Sequence, residues 1–332
     1  MPPEHESSSA GLPEGYAARV PEGNGLGAIY ALILACDLAE YGEPDLGEEE
    51  LRADWEDPDT DRWMVVSPER EIVGYGSVSR HASGNPTRFD AEGYVHPDHV
   101  GRGVGRYLLR FAEARARERL AAAPKGAPGA FLANTVNGAN AAARDLLKSE
   151  GYSPVRHFLR MAIGLQEAPP APELPEELTV GLCVSEREEH AVFEAVEEAF
   201  VDHWGHSDGT LAAWRGRREL AGSRPGWWLM ARVGGEVAGA VFCHKSSEGV
   251  GEIEWLAVRR TWRRRGLGLT LLRSAFNELR RRGAREVHLV VDSESPTGAR
   301  RLYERAGMRV ERHYAVHRKE LRPLGRGQGR GE

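Results

Sequence analysis

Apolar positions along the chain fall into two runs of the same order. Residues 62–80 (RWMVVSPEREIVGYGSVSR) alternate apolar and polar positions around a break at Pro68-Glu69-Arg70, the pattern of a β-hairpin. Residues 227–245 (WWLMARVGGEVAGAVFCHK) repeat it around Gly234-Gly235. Trp63 and Trp228 are 165 residues apart, as are Gly74 and Gly239. Each hairpin is followed by a strand, a Gly-rich turn and an amphipathic helix, over residues 94–120 and again over 255–283. A further strand follows (130–134 or 286–291), then another helix and a glycine stop at Gly151 or Gly307, 156 residues apart. A repeat of this length is a duplicated domain, not a solenoid unit of about 20–50 residues. Each half reads as helices, hairpin, long strand, helix, strand, helix and final strands. That order predicts an α/β fold of the mixed α+β kind, a sheet covered by helices on both faces.

Proline divides the repeats. Residues 167–177 (EAPPAPELPEE) hold four prolines in eleven positions, which disfavours helix or central strand and reads as an extended linker. The expected organisation is a flexible N-terminus (1–20), a first domain (21–166), the linker (167–177), a second domain (178–321) and a flexible tail (322–332).

Composition narrows the class. The 332 residues are 41% hydrophobic and 28% charged with a net charge of −6, which argues against a general nucleic-acid or membrane-surface binder. Three scattered cysteines, Cys36, Cys183 and Cys243, give neither a disulfide framework nor a zinc cluster. The N-terminal residues lack the basic and apolar regions of a signal peptide, and no apolar stretch approaches ~18 residues. The expectation is a cytoplasmic protein without metal, nucleic-acid or membrane partners, monomeric or homodimeric.

The most informative segment is the strand-to-helix turn at residues 259–268 (RRTWRRRGLG). Glycines there let backbone N–H groups approach a ligand, the helix start adds partial positive charge, and the arginines add full charge. Together they suit a pyrophosphate. Taken alone, the pattern also fits a helix cap with a solvated basic face, or a nucleic-acid patch. A Walker loop is excluded because no GK[ST] follows, and a third spaced glycine for a dinucleotide fold is missing.

The string LAVRRTWRRRGLGLTLL resembles the acetyl-CoA loop of the GCN5-related N-acetyltransferase (GNAT) superfamily, Arg/Gln-x-x-Gly-x-Gly/Ala after a bulged strand. Arg263, Gly266 and Gly268 match it. SPTGARRLYERAGMRVERHY (295–314) resembles the last helix of that family. The likeness covers nearly all of the second half and, more weakly, the first. It implies two tandem GNAT domains, each a mixed, mostly antiparallel sheet with a bulged strand at the CoA site. Acetyl-CoA would be the co-substrate, held by Leu256, Ala257, Val258, Arg263, Arg264, Arg265, Gly266, Leu267 and Gly268. Unequal tandem copies are similar to the mycothiol synthase group, which acetylates a cysteinyl amine.

Acetyl transfer to an amine needs a base for the ammonium, donors for the carbonyl oxygen and a proton for the departing thiolate. With side chains alternating, Glu252 and Glu254 share a face with Leu256 and Val258. The resemblance ranks Glu252 first as base, six residues before Val258 where the family often carries one, and Glu254 second; the alternative is a solvated strand face. The resemblance assigns Tyr303 as acid and the backbone N–H groups of 256–258 as carbonyl donors. Without it, Tyr303 also fits core packing. Pro296 departs from the family, where many members have Asn. In the first copy, Gly101, Gly103 and Gly105 persist, but Val100 replaces the motif Arg and Leu147 stands at the place of Tyr303. Arg102 compensates in charge, Asn140 keeps the Asn, and Asp90 and Glu92 precede the turn. Asp202, His203, Trp204 and His206 are acceptor-contact candidates, set against a packed helix end. Cys243 is expected to be structural. The expected activity is acetyl transfer from acetyl-CoA to a small-molecule primary amine in a ternary complex, with the second domain catalytic. The alternatives are a protein or peptide N-acetyltransferase and a non-catalytic acetyl-CoA-binding regulatory module.

Overall fold

The structure is a computed structural model. It describes residues 11–22, 25–80, 86–122, 129–167, 169–170, 177–201, 210–212, 214–215, 227–247, 249–295 and 297–323. In chain order its elements are β1 (Ala17–Arg19), α1 (Leu26–Tyr41), α2 (Glu48–Glu56), β2 (Thr60–Val66), β3 (Ile72–Arg80), β4 (Thr87–Val95), α3 (Val104–Ala122), β5 (Ala130–Asn137), α4 (Ala141–Ser149) and β6 (Ser153–Gly164). The second half continues with β7 (Leu178–Leu182), α5 (Glu186–Phe200), β8 (Leu229–Val233), β9 (Glu236–Ser247), β10 (Val250–Val258), α6 (Leu267–Arg281), β11 (Glu286–Asp292), α7 (Ala299–Arg305) and β12 (Arg309–Arg322). No helix among the described residues is long and apolar enough to cross a membrane.

Two compact units result: unit 1 is Met1–Val155 with Ala315–Glu332, and unit 2 is Arg156–Tyr314. Unit 1 orders its strands β1-β2-β3-β4-β5-β12, and unit 2 orders them β7-β8-β9-β10-β11-β6. Neighbours pair antiparallel from β1 to β4 and from β7 to β10, while β4–β5 and β10–β11 are parallel. This is the mixed, mostly antiparallel sheet the sequence implies.

The unit boundaries differ from the expected 21–166 and 178–321. β6 lies beside β11 in unit 2, in register from Glu286↔Gly164 to Asp292↔Phe158. Residues 315–322 of β12 belong to unit 1, where Lys319 Nζ lies 2.6 Å from Glu113 Oε2 and Arg318 covers the Phe131 ring at 5.1 Å. The repeat in the sequence follows chain order, whereas the units follow strand pairing, and each half's final strand pairs outside its own half. The expected flexible end is ordered at 17–19, because β1 pairs with β2 and Ala18 is buried. Most of the linker at 167–177 and the tail beyond residue 323 lie outside the described residues.

Helices cover both faces of each sheet. In α6, Leu267, Leu271, Leu272, Ala275, Phe276 and Leu279 recur at helical spacing and pack on Val241, Cys243, Ile253, Val287 and Leu289. On the opposite face, α5 starts at a capping box between Ser185 and Glu188 and packs Val192, Ala195 and Val196 with Trp214, Trp228 and Phe242. In unit 1, α3 takes the role of α6, and α1 with α2 covers the other face around Ile29, Ile33 and Tyr75. Cys243 is a buried structural thiol, its Sγ donating to the Trp227 carbonyl at 2.9 Å.

Candidate active site in unit 2

The turn between β10 and α6 leaves a row of main-chain donors open. Among the described residues, the N–H groups of 264–268 donate to no acceptor, whereas Arg263 N–H reaches the Arg260 carbonyl and Thr270 N–H the Gly266 carbonyl. Gly266 caps the helix at φ 82°, and a Cβ there would meet nothing within 4 Å. Arg264 stands at φ 62°, a left-handed conformation that costs a non-glycine residue about 1–2 kcal/mol. A run of open N–H groups at a helix start is the kind of backbone that suits an anion, a nest. Arg264 and Arg265 flank it with exposed side chains, Arg265 lying 4.9 Å over Trp262. Arg263 does something else: its Nε donates to the Val258 carbonyl at 3.2 Å and its Nη2 to the Ala199 carbonyl at 3.0 Å. It braces the end of β10 against the end of α5.

β10 carries a bulge. Ile253 pairs with Cys243 and Trp255 with Phe242, which leaves Glu254 as the extra residue. The bulge resets the alternation of side chains. Gly251 and Ile253 face α6, and after the bulge so do Leu256 and Val258, while Trp255 and Ala257 join the α5 side. Glu252 therefore points to the face opposite Leu256 and Val258, contrary to the alternation expected from the sequence. Strict period two fails across one inserted residue.

Parallel pairing of β10 with β11 stops at Ile253↔Leu289, so among the described residues 255–258 pair with β9 on one edge and with no strand on the other. Arg259 N–H donates to the Ala238 carbonyl of β9. By strand alternation the amide of Ala257 turns to β9 as well, and those of Leu256 and Val258 turn to the open edge. Two of the three expected carbonyl donors thus face the gap.

Tyr303, on α7, lies on the α6 side and is 8% exposed. Burial pushes its phenol up to about 12, and its hydroxyl has no hydrogen bond among the described residues. On the other face, Glu252 is 43% exposed and its carboxylate lies 3.7 Å from His244 Nε2. Leu267 is buried in the core, and Gly268 approaches Leu302 so closely that a Cβ would lie 3.0 Å from it. Asp202, His203, Trp204, His206 and Pro296 lie outside the described residues.

One polar group escaped the sequence reading. Glu286, His288 and Glu311 gather donor atoms within 4.8 Å of one another. Arg160 sits among them, with Nη2 2.7 Å from His288 Nδ1 and Nε 3.1 Å from Glu311. A fixed guanidinium supplies the positive charge there. The strand alternation that puts His288 opposite Val287 and Leu289 was the available signal.

Unit 1 repeats the turn and the parted strand edge, since the pairing of β4 with β5 stops at Ala91↔Asn134, but it has neither the bulge nor the side chains. Gly101 and Gly103 have φ of 81° and 92°, and the N–H groups of 101–105 are open among the described residues. β3 and β4 stay in register from Gly74↔Val95 to Arg80↔Phe89 with no bulge. Asp90 occupies the register place of Glu252, but Arg88 Nε holds it at 2.8 Å. Leu147 is buried core, and Asn140 caps α4 by accepting from Ala143 N–H at 2.9 Å.

Comparison with known proteins agrees with this geometry. The family model "Acetyltransferase (GNAT) family" matches residues 26–152 and 190–308. A mycothiol acetyltransferase of Cellulomonas flavigena is 32% identical over 73% of this chain and 70% of its own length. Another, from Thermobispora bispora, is 30% identical over 84% of this chain and 91% of its own. The crystal structure of a GCN5-related N-acetyltransferase from Sphaerobacter thermophilus superposes with a TM-score of 0.83 at 38% identity, covering 94% of this chain and 98% of that one. A tandem GNAT protein from the clavulanic acid biosynthesis pathway shares the fold at a TM-score of 0.70 and 16% identity, covering 93% and 98%. With the family model matched in both halves, the chain belongs to the GNAT acetyltransferase family and is an acyltransferase of tandem GNAT architecture.

Proposed function

We propose that unit 2 transfers an acetyl group from acetyl-CoA to the primary amine of a small molecule, directly and within a ternary complex. The observation that carries this is the bulged, unpaired edge of β10, with Glu252 on one face of the sheet and Tyr303 on the other. A thioester carbonyl in that gap would meet the amides of Leu256 and Val258, while the N–H groups of 264–268 hold the pyrophosphate. The amine enters on the Glu252 side and gives its proton to the carboxylate. Its lone pair forms the C–N bond as the C–S bond breaks, and the electron pair leaves on sulfur toward Tyr303.

Tyr303 serves as a donor that stays protonated. A phenol near 12 facing a thiol of about 8.5 would transfer its proton uphill, so its main contribution is a hydrogen bond to the developing thiolate. The mycothiol acetyltransferase relatives favour a small acceptor over a peptide. The test is CoA release, followed by chromatography, with acetyl-CoA and a panel of amines headed by the cysteinyl amine precursor of mycothiol. Turnover of at least one small amine is expected. Acetyl-CoA binding by calorimetry with no amine acetylated would overturn the reading in favour of a binding module.

A further inference from the structure

Glu252 has a neighbour that the sequence reading did not single out. His244 of β9 is its cross-strand partner by register, and His244 Nε2 lies 3.7 Å from Glu252 Oε2. Both side chains project from the face opposite α6, since Cys243 and Ile253, next to them in the chain, are buried in the α6 core. The imidazole is 15% exposed and the carboxylate 43% exposed, so His244 forms a floor beneath a carboxylate that reaches outward. On the next strand, His288 is in register with Glu252, but its Nδ1 is engaged by Arg160.

The two nitrogens of His244 are in different surroundings. Nδ1 is sealed from solvent and has no hydrogen-bond partner among the described residues. A buried N–H without an acceptor is costly, more so than a bare ring nitrogen, so the imidazole proton belongs on Nε2, the nitrogen turned to Glu252. The gap of 3.7 Å is longer than a hydrogen bond, and catalytic contacts commonly tighten when substrate binds.

We infer that His244 is a positioning residue for the acetyl transfer: its Nε2–H holds one oxygen of Glu252 and leaves the other for the amine. This rests on the reading of Glu252 as base. In the transfer the amine nitrogen passes its proton to the free carboxylate oxygen and keeps the electron pair for attack on the thioester. His244 keeps its own proton and touches no substrate. Unit 1 lacks the arrangement, since Ser79 stands opposite Asp90 and Arg88 ties Asp90 from its own strand.

Two measurements test it. Nitrogen-15 spectra of histidine-labelled protein at about pH 8, above the ordinary histidine range, should show His244 as the Nε2–H tautomer. The signal is assigned by its loss in His244→Gln, and it should shift in Glu252→Gln; a proton on Nδ1 overturns the inference without any acceptor being needed. In steady-state kinetics with acetyl-CoA and the fastest amine of the panel, His244→Ala should lower kcat about tenfold or more, with both KM values within about twofold. His244→Gln, whose amide nitrogen reaches the place of Nε2, should recover most of that loss, and the shorter His244→Asn should not. Equal loss in the Gln and Ala variants, or the same loss from His244→Ala in a Glu252→Gln background, overturns it. Acetyl-CoA calorimetry controls for folding, and if His244→Ala fails to bind, the Gln and Asn pair decides. A Glu252→Gln enzyme with wild-type turnover sinks the base reading itself, whereas a slow Glu252→Gln beside an unaffected His244→Ala sinks only this inference.

Discussion

The two strand–turn–helix segments, β4 to α3 and β10 to α6, share a backbone and differ in their chemistry. Both turns place two residues at positive φ, Gly101 and Gly103 in one and Arg264 and Gly266 in the other, and among the described residues both leave a row of N–H groups open. Their strands differ by one residue: β10 bulges at Glu254, while β4 pairs with β3 without interruption, and each parts from its parallel neighbour before the turn. Their side chains differ too, with Glu252 and Tyr303 set against Asp90, tied to Arg88, and the buried Leu147. A phosphate-sized nest needs only backbone, so it survives wherever the glycines do. The parted strand edge is kept in both units as well, and what unit 2 alone has among the described residues is the pair Glu252 and Tyr303 on opposite faces beside it.

The contrast can be broken most severely by deleting Glu254. Without the bulge, β10 should pair with β9 as β4 does with β3, Glu252 should be drawn one residue closer to the amides of Leu256 and Val258, and turnover should fall by more than ~100-fold. A thermal melt that stays cooperative would show that the fold survives, as unit 1 leads one to expect. Glu252→Gln should lower kcat by about 100- to 10,000-fold, the range of general bases, while Asp90→Asn leaves turnover unchanged in the same assay. If Asp90→Asn is the slower enzyme, the roles of the units are reversed.

Tyr303→Phe should cost about 10- to 100-fold in kcat with acetyl-CoA affinity retained by calorimetry, and Leu147→Phe should do nothing to turnover. Alkaline unfolding compares the units through stability. Tyr75, Tyr94, Tyr107 and Tyr152 of unit 1 and Tyr303 of unit 2 are all pushed up by burial. The unfolded chain ionises first, near 10, so each such group contributes stability that is whole below pH 10 and lost as pH rises to the folded value. For Tyr303, held up to about 12, the loss is about 2–3 kcal/mol between pH 10 and 12. Unit 1, with more of these groups among the described residues, should melt first above pH 10 as followed by tyrosinate absorbance.

The mildest effect is expected at the nest. Arg264→Gly relieves a left-handed residue and should stabilise unit 2 by about 1–2 kcal/mol while weakening acetyl-CoA binding a few-fold. Gly101→Arg should destabilise unit 1 by a similar amount. An Arg264→Gly protein that binds acetyl-CoA as tightly as before would show the guanidinium to be idle.

Much of this was legible in the sequence, for local reasons. The hairpins, helices and glycine turns are written in short-range periodicity and in residues that tolerate positive φ, and the repeat supplied each reading twice. Glu252 and Tyr303 followed from the family resemblance, and the structure puts them on opposite faces. What escaped was set by pairing at long range. The bulge at Glu254 inverted the facing of Leu256 and Val258, Arg263 turned back to the Val258 and Ala199 carbonyls, and His244 met Glu252 only through strand register. Nothing local in residues 315–322 announces that they pair beside β5, because strand partners leave no periodic trace in the strand itself.

That last strand bears on how the protein is made. A ribosome releases the chain in order, so when residues 167–177 emerge, unit 1 still lacks 315–322. Glu113, Phe131 and Tyr152 must then wait for Lys319 and Arg318, which are added only after all the residues of unit 2. Unit 2 has its complete set of residues once Tyr314 is joined. The half that is synthesised first is therefore the last to close, and a stalled or clipped chain forfeits its oldest part before its newest.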